Sequence, residues 1–312
     1  MPAMLSRRAA LLCPAAAWLS HSLPARASAV LPLPLWPGTP PGGGGPHGPL
    51  AVNAKGGVSN IAIPTLALHR PARPNGAVVL IAGGGGYKRI ENRHESDPAA
   101  AWLNARGITA AVLTYRLPGE GWTAGPHAPV QDALRAIRLL RAHAKDWAID
   151  PARIGLLGFS AGGHLMGLAG VAPALGAYAP VDVADAQPVG IHALALAYPV
   201  ITLMPPYDHT WTRRMMIGEH PSAAAGAQWS VQTHVRHGDA PTFLVQAQDD
   251  PISNPQNTVL MAEACRRAGV AVELHRPETG KHGFGMGRPG TATMAWPGWY
   301  AAWLARQGML AG

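Results

Sequence analysis

The chain has 312 residues, of which 48% are hydrophobic and 13% are charged, and its formal net charge is +8. This length and hydrophobic content fit one large domain with a sizeable core and argue against an intrinsically disordered protein. The basic residues are scattered along the sequence rather than gathered into one stripe, so nucleic-acid binding is not expected. The basic balance favours adsorption to acidic surfaces, anionic polysaccharide among them.

The first 29 residues have the order of features found in an export leader. Arg7 and Arg8 precede an apolar stretch over residues 9–19, and small residues at 27–29 follow as a cleavage site. The arginine pair also resembles a twin-arginine signal, so the choice between Tat and Sec export stays open. We therefore predict that residues 1–29 are a signal peptide and that the mature protein is exported, either periplasmic or secreted.

The rest of the sequence carries no signal for a membrane span or a metal site. No run of about 20 apolar residues follows the leader, so no membrane-spanning helix is expected. Cys265 is the only cysteine beyond the leader, and His and Cys do not cluster at metal-ligand spacing. We therefore expect no metal, no organic cofactor and no internal disulfide. Nothing in the sequence indicates the oligomeric state.

Residues 30–57 are rich in proline and glycine and are predicted to form an extended arm, followed by a single domain over residues 58–312. In that domain apolar β-type stretches alternate with helical patterns, the clearest of them over residues 130–140. The alternation predicts an α/β domain with a mostly parallel, doubly wound sheet flanked by helices. The predicted strands are 61–69, 77–82, 108–115, 153–159, 192–198, 241–247 and 270–276, and two further predicted helices are 161–171 and 256–268.

A Gly-x-Ser-x-Gly motif, from Gly158 to Gly162, lies between a predicted strand and a predicted helix. This context is the one that a nucleophile elbow requires, because the tight turn around Ser160 excludes bulky residues two positions before and after it. The N-terminal amides of the following helix also favour a developing negative charge. A phosphate-binding turn is the alternative for the motif alone, and the motifs described next favour a nucleophile.

A run of four glycines, Gly83 to Gly86, directly follows the predicted strand 77–82. Such a loop offers backbone N–H groups to an oxyanion, and glycine lets the acyl oxygen approach closely. A flexible linker is the alternative, but linkers seldom follow a buried strand directly. We predict Gly85 and Gly86, together with the amide of Ala161, as the oxyanion donors.

An acid and a base follow Ser160 in the order that this type of fold uses. Asp249 and Asp250 come just after the predicted strand 241–247, and His282 lies in a glycine-flanked loop after the strand 270–276. His164 is the rival base, but its place one helical turn after Ser160 favours a packing role. The other loop histidines, such as His94, are interpreted as ordinary surface or pocket residues. Asp250 is the predicted acid, with Asp249 as the alternative.

Several motifs in order give the sequence a family resemblance. From about residue 35 to the end, the chain resembles the α/β-hydrolases grouped with acetylxylan esterases and bifunctional acetylxylan and feruloyl esterases. The resemblance implies an α/β-hydrolase fold, with Ser160 as nucleophile, His282 as base and one of the two aspartates as acid. Two positions depart from the family pattern: Ser253-Asn254 replaces Val-Pro, and Gly83 replaces a proline. The matching motifs are Leu35-Trp36-Pro37-Gly38, the glycine loop ending in Tyr87, residues 111–117, Asp132, residues 150–154, residues 158–165 and residues 282–285.

These observations predict a serine esterase that hydrolyses short-chain acyl esters through an acyl-enzyme, with a small-molecule or polysaccharide substrate such as acetylated xylan. A peptidase of the prolyl-oligopeptidase type is one alternative, although the chain has no room for the propeller domain of that class. A catalytically silent binding module on the same fold is the other.

The sequence between the strands 192–198 and 241–247 mixes aromatic and hydrogen-bonding side chains. Such a mixture suits stacking on sugar rings and bonding to hydroxyl groups better than it suits a long acyl chain. The alternative is an ordinary cap that packs on the sheet. The residues concerned are Tyr207, Asp208, His209, Trp211, Arg213, Arg214, Trp229 and His234.

Overall fold

The computed structural model describes residues 32–310, so the leader predicted at residues 1–29 lies outside the described residues. The strands are Leu33–Pro34 (β1), Ala51–Val52 (β2), Val58–Ser59 (β3), Thr65–His69 (β4), Val78–Ala82 (β5), Thr109–Thr114 (β6), Ile154–Phe159 (β7), Ala193–Ala197 (β8), Thr242–Val245 (β9) and Val272–His275 (β10). The α-helices are Asp97–Asn104 (α1), His127–Ala142 (α2), Ala161–Val171 (α3), Trp211–Ile217 (α4), Ala223–Gln228 (α5), Gln256–Arg267 (α6) and Trp296–Arg306 (α7). A π-helical turn over Asn92–Ser96 directly precedes α1.

Eight strands form one sheet in the order β1-β4-β6-β5-β7-β8-β9-β10, and β2 pairs with β3 separately. In the part of the sheet ordered β6-β5-β7-β8-β9-β10, each strand is parallel to its neighbours. At the other edge, β4 runs antiparallel to β6 and β1 runs antiparallel to β4. Strands β5, β7 and β8 are buried along their whole length, which explains their continuous apolar sequences. The predicted α/β-hydrolase fold with a mostly parallel sheet is confirmed.

Helices cover both faces of this sheet. In β5, Val78, Leu80 and Ala82 belong to the core layer that includes α2, α3 and α6, whereas Val79 and Ile81 belong to the layer that includes α1 and α7. Because β5, β7, β8, β9 and β10 are parallel, the loops after them meet at one edge of the sheet. That edge is where parallel α/β sheets form their binding sites.

The predicted strand bounds differ from the observed ones by at most two residues, with one exception. The strand predicted from residue 61 begins at Thr65. Pro64 has no N–H to pair with a neighbouring strand, and Asn60 has a positive φ of 56°, so the chain turns before the strand starts. The helix predicted over residues 161–171 has the observed bounds of α3. Helices α1, α4, α5 and α7 and the π-helical turn are not among the predicted elements.

The segment predicted as an extended arm is anchored to the domain near its start. Strand β1 extends the main sheet, and Leu35 and Trp36 are 1% and 5% exposed. The Trp36 indole N–H donates to Asp132 Oδ1 at 2.8 Å, and Asp132 forms a fully buried ion pair with Arg116. At these two residues the segment therefore packs into the domain, because the apolar pair is buried. Most of residues 37–55 are exposed or partly exposed.

Candidate active site

Ser160 stands at the tight turn between β7 and α3, with φ of 52° and ψ of −117°. The glycines of the motif are required by close contacts between backbones. A Cβ atom at Gly158 would lie 2.3 Å from the carbonyl oxygen of Gly162, and one at Gly162 would lie 2.2 Å from that of Ala82. This strained turn presents the Ser160 side chain at the carboxyl edge of the sheet, as in a nucleophile elbow.

A chain of hydrogen bonds joins the Ser160, His282 and Asp250 side chains. Ser160 Oγ lies 2.8 Å from His282 Nε2, and His282 Nδ1 lies 2.8 Å from Asp250 Oδ2. The loop after β10 supplies His282 and the loop after β9 supplies Asp250. The Asp250 side chain is fully buried and that of His282 is 16% exposed. With Nδ1 donating to the carboxylate, Nε2 is free to accept the serine hydroxyl proton.

The orientation of Asp250 is fixed by the loop that carries it. Its Oδ1 accepts the backbone N–H groups of Ile252 at 2.8 Å and Ser253 at 3.0 Å, and its Oδ2 accepts the Gln246 amide N–H at 3.2 Å. Asp249 is exposed, and its Oδ1 accepts the backbone N–H of Lys281 at 2.7 Å. The structure therefore brings Asp250, rather than the alternative Asp249, against the imidazole.

The glycine loop lies directly on the nucleophile turn. A Cβ atom at Gly84 would be 2.7 Å from the Cβ atom of Ser160. Gly85 and Gly86 have positive φ values of 117° and 65°, and both line the same cavity as Ser160. Ala161, the first residue of α3, is buried beside it. The three residues predicted as oxyanion donors are thus gathered around Ser160, and their role as donors stays a prediction.

A cavity of about 600 Å³ opens above Ser160 and His282. This size is typical of small-molecule sites. Its lining includes Glu95, a carboxylate that is only 5% exposed, and Trp211, which is 51% exposed at the cavity wall. Sequence reasoning missed Glu95, together with Tyr198, whose hydroxyl donates to Glu95 Oε1 at 2.8 Å. No sequence pattern marks either residue, because the contact joins positions about a hundred residues apart.

His164, the rival base, lies on the buried side of Ser160. Its Nδ1 is 3.0 Å from the Tyr87 hydroxyl, and its Nε2 is 2.7 Å from the carbonyl oxygen of Trp229. Burial lowers the pKa of His164 to about 4. Both ring nitrogens are occupied in the core, so this imidazole is a packing residue and is not placed to take a proton from Ser160 Oγ.

Some of the aromatic and polar residues expected to contact sugar line cavities, and others are buried. Trp211 lines the cavity, and Lys88 Nζ lies 3.9 Å from the centroid of its indole ring. Tyr207 and His209 line a neighbouring depression of about 310 Å³ that also contacts Asp250. Trp229 and Arg213 are buried instead, at 4% and 6% exposure. Part of the segment is therefore an ordinary cap, which was the alternative interpretation.

A metal site and a membrane segment are two further features that the described residues, 32–310, could contain. In this part of the chain, no group of three or more His, Cys, Asp or Glu side chains is placed to hold a metal ion. None of the helices in the same range is both long enough and apolar enough to cross a membrane.

The parallel sheet, the tight Gly-x-Ser-x-Gly turn at Ser160, and the carboxylate and imidazole on the loops after β9 and β10 are the arrangement of an α/β-hydrolase. Comparison with protein families agrees, since the profile of the BD-FAE family matches residues 66–265, which is more than half of the chain. The chain belongs to the BD-FAE family and is an acetylxylan esterase-like α/β-hydrolase.

Among known proteins, the chain is 33% identical over 221 residues to an acetylxylan esterase of Xylanibacter ruminicola, covering 70% of this chain and 43% of that protein. It is similar to the solved acetyl ester-xyloside bifunctional hydrolase of Caldicellulosiruptor lactoaceticus, with 30% identity, a TM-score of 0.76 and coverage of 92% and 100% of the two chains. It also resembles a thermophilic esterase of Thermogutta terrifontis solved with propionate bound, with 25% identity, a TM-score of 0.68 and coverage of 85% and 96%. That esterase has also been solved phosphorylated by paraoxon. The chain spans less than half the length of the curated relatives it matches.

Proposed function

We propose that the protein is a serine esterase that removes short acyl groups from a carbohydrate through an acyl-enzyme. The observation that carries the proposal is the unbroken hydrogen-bonded chain from Ser160 through His282 to Asp250 at the base of an open cavity. Nucleophile, base and orienting acid at hydrogen-bond distances are what covalent acyl transfer requires.

In the first step, His282 Nε2 takes the hydroxyl proton while Ser160 Oγ attacks the ester carbonyl carbon. The tetrahedral intermediate collapses as the protonated imidazole gives its proton to the leaving alcohol oxygen. A water molecule then repeats the sequence on the acyl-enzyme and releases the carboxylic acid. Asp250 holds the His282 ring in the tautomer with Nδ1 protonated and stabilises the imidazolium that forms.

The developing oxyanion is assigned to the backbone N–H groups of Gly85, Gly86 and Ala161. The two glycines face the cavity beside Ser160. Ala161 is the first residue of α3, whose N-terminal end carries partial positive charge. Fixed backbone donors of this kind stabilise the charge that appears only in the transition state.

Three observations support a short acyl group on a sugar. The cavity has room for an acyl group and part of a saccharide, but its lining is mixed in polarity, with the charged groups of Lys88 and Glu91. Trp211 offers a large, half-exposed aromatic surface at the wall. The relatives described above include an acetylxylan esterase and an acetyl ester-xyloside hydrolase. We propose acetylated xylan or its fragments as the substrate.

Export to the periplasm or the medium is part of the proposal, and it rests on the sequence of residues 1–29 alone. N-terminal sequencing of protein recovered from each cell fraction tests it. A mature start at Val30 in exported protein is expected, whereas an intact leader on protein that stays inside the cell would contradict export.

The activity is tested with p-nitrophenyl acetate, butyrate, octanoate and palmitate, and with acetylated xylooligosaccharides. We expect kcat/KM to be highest for acetate or butyrate and acetate to be released from the saccharides. Paraoxon should add one diethylphosphoryl group to wild type and none to Ser160→Ala, as read by intact mass. A maximum at octanoate or longer would favour a lipase, and cleavage of a prolyl peptide would favour a peptidase. Ester binding without turnover would favour a binding module.

A further inference from the structure

Glu95 is a buried carboxylate in the π-helical turn Asn92–Ser96, and it forms part of the cavity wall. Its two oxygens accept different donors. Oε2 accepts the backbone N–H of Gly84 at 2.5 Å, and Oε1 accepts the hydroxyl of Tyr198 at 2.8 Å. In the described part of the chain, these two donors are neutral and belong to separate loops at the carboxyl edge of the sheet.

Tyr198 continues this chain toward the base. It follows β8 directly, is fully buried, and its hydroxyl oxygen accepts the backbone N–H of Gly285 at 3.1 Å. Its ring packs edge-on against the rings of His282 and Phe284, with centroid distances of 5.0 Å and 4.4 Å. The hydroxyl and the ring of Tyr198 therefore both contact the loop that carries His282.

The Glu95 contact fixes the orientation of the glycine loop. The N–H of Gly84 is bound by Glu95, and the carbonyl oxygen of Gly84 accepts the backbone N–H of Glu91 at 3.1 Å. With both polar groups of Gly84 held, the peptide that follows it has little freedom to rotate. Gly85 and Gly86 are then presented toward the cavity, where four successive glycines would otherwise leave the backbone mobile.

A carboxylate suits this position because it accepts two hydrogen bonds at once. A glutamine side chain placed in the same way has one accepting oxygen, so only one of the two donors, the Gly84 N–H or the Tyr198 hydroxyl, would keep its acceptor. The pKa of Glu95 is raised, because the effect of burial exceeds the lowering effect of its bonds from Gly84 and Tyr198 and of the nearby His282. The cost of burying the carboxylate is offset only while both donors are in place.

We propose that Glu95 and Tyr198 are positioning residues that bridge the glycine loop to the His282 loop, so that oxyanion donors and base keep a fixed geometry over Ser160. The bridge runs from Gly84 through Glu95 and Tyr198 to Gly285. The catalytic part of this inference rests on the proposed function, whereas the mechanical coupling of the two loops does not.

The coupling is tested by hydrogen–deuterium exchange in Tyr198→Phe, which removes the hydroxyl and keeps the ring on His282. We expect amide exchange to become about tenfold faster both in peptides covering residues 83–90 and in peptides covering 282–287, which corresponds to about 1.4 kcal/mol for the buried hydrogen bond that is lost. Tyr300→Phe, which changes another buried tyrosine, on α7, is the control and should change neither loop. Faster exchange confined to residues 282–287 would overturn the bridge.

The catalytic consequence is tested with p-nitrophenyl acetate on the folded variants. Tyr198→Phe should lower kcat about tenfold and Glu95→Gln about a hundredfold at unchanged KM, because displaced donors weaken binding of the transition state rather than of the substrate. Asp97→Asn, which changes an exposed carboxylate two residues away, is the control for Glu95→Gln.

The outcomes separate the two proposals. A rise in KM at unchanged kcat in Glu95→Gln would make Glu95 a substrate contact and overturn the positioning role. Full activity in both variants would overturn it as well. If wild type hydrolyses no ester, the proposed function fails, and the exchange measurement still decides whether the two loops are coupled.

Discussion

The two sides of Ser160 hold histidines in opposite environments. On the cavity side, His282 contacts the serine oxygen with Nε2 and a carboxylate with Nδ1, and it stays partly exposed. On the core side, His164 is fully buried, and its ring nitrogens bond two neutral groups, the Tyr87 hydroxyl and the Trp229 carbonyl. A base has to become cationic during the reaction, and only the first environment stabilises a cation. Closeness to Ser160 in sequence therefore does not indicate which histidine has the environment that a base requires.

The largest expected effect tests whether the cavity side is reactive at all. Ser160→Ala should lower turnover of p-nitrophenyl acetate by roughly 10⁶, because the nucleophile acts as a unit with its base. Thermal unfolding monitored by circular dichroism serves as the control and should remain cooperative. Substantial hydrolysis by a purified, folded Ser160→Ala protein would contradict a serine mechanism.

Replacing the two histidines one at a time directly tests the difference between the two sides of Ser160. His282→Gln should lower kcat by roughly 10⁶, comparable to loss of the nucleophile. His164→Gln should keep kcat per folded molecule within about tenfold and instead lower the free energy of unfolding by about 2 kcal/mol, because buried hydrogen bonds are lost. Steady-state kinetics and urea denaturation of both variants measure kcat and the free energy of unfolding. If His164→Gln lost its activity while remaining stable, the roles assigned to the two sides would be reversed.

The third expected effect concerns the carboxylate next to His282. Asp250→Asn should lower kcat by roughly 10⁴, since an amide no longer stabilises the imidazolium and favours the wrong tautomer. Asp249→Asn is the matched control, because Asp249 is exposed and its carboxylate accepts the Lys281 backbone N–H rather than contacting His282. Its effect on kcat should be far smaller. A larger loss in Asp249→Asn than in Asp250→Asn would move the assignment to the neighbouring residue.

The parts of the fold and of the site that could be predicted from the sequence are those determined by local sequence features. Parallel strands buried on both faces appear as apolar runs, and the Gly-x-Ser-x-Gly turn has steric requirements that few residues meet, so β7, Ser160 and α3 were predicted closely. Asp250 and His282 were also predicted to lie in loops that follow strands, and the structure places those loops after β9 and β10. These are local features, and each is visible within a short stretch of sequence.

Contacts between distant parts of the chain were not predictable in this way. Glu95 lies in the polar stretch Asn92–Ser96, which has no helical or strand periodicity, and its partner Tyr198 is 103 positions away. The burial of Trp36 depends on Asp132, 96 positions along the chain. The sequence between β8 and β9 is a further case, because only the folded chain determines that Trp211 lines the cavity while Trp229 is buried.

The last expected effect concerns the pH dependence of stability on the core side. The pKa of His164 is about 4 in the folded protein, against an ordinary value of 6.5. Between these values the unfolded chain takes up a proton at this site and the folded protein does not. Acidification therefore favours unfolding, and His164 stabilises the fold above pH 6.5 by an amount that is lost as the pH falls toward 4. A shift of this size corresponds to roughly 3 kcal/mol over that window.

Urea denaturation of wild type and His164→Gln at pH 7.5, 6.5, 5.5 and 4.5 isolates this contribution, because the carboxylates titrate equally in both proteins. We expect the stability advantage of wild type to shrink steadily below pH 6.5. His143→Gln is the control, since the His143 side chain is 43% exposed and lies at the end of α2. An advantage that stays constant down to pH 4.5 would mean that His164 accepts a proton in the folded state. The core side of Ser160 would then tolerate a cation, and the distinction between the two histidines would rest on geometry alone.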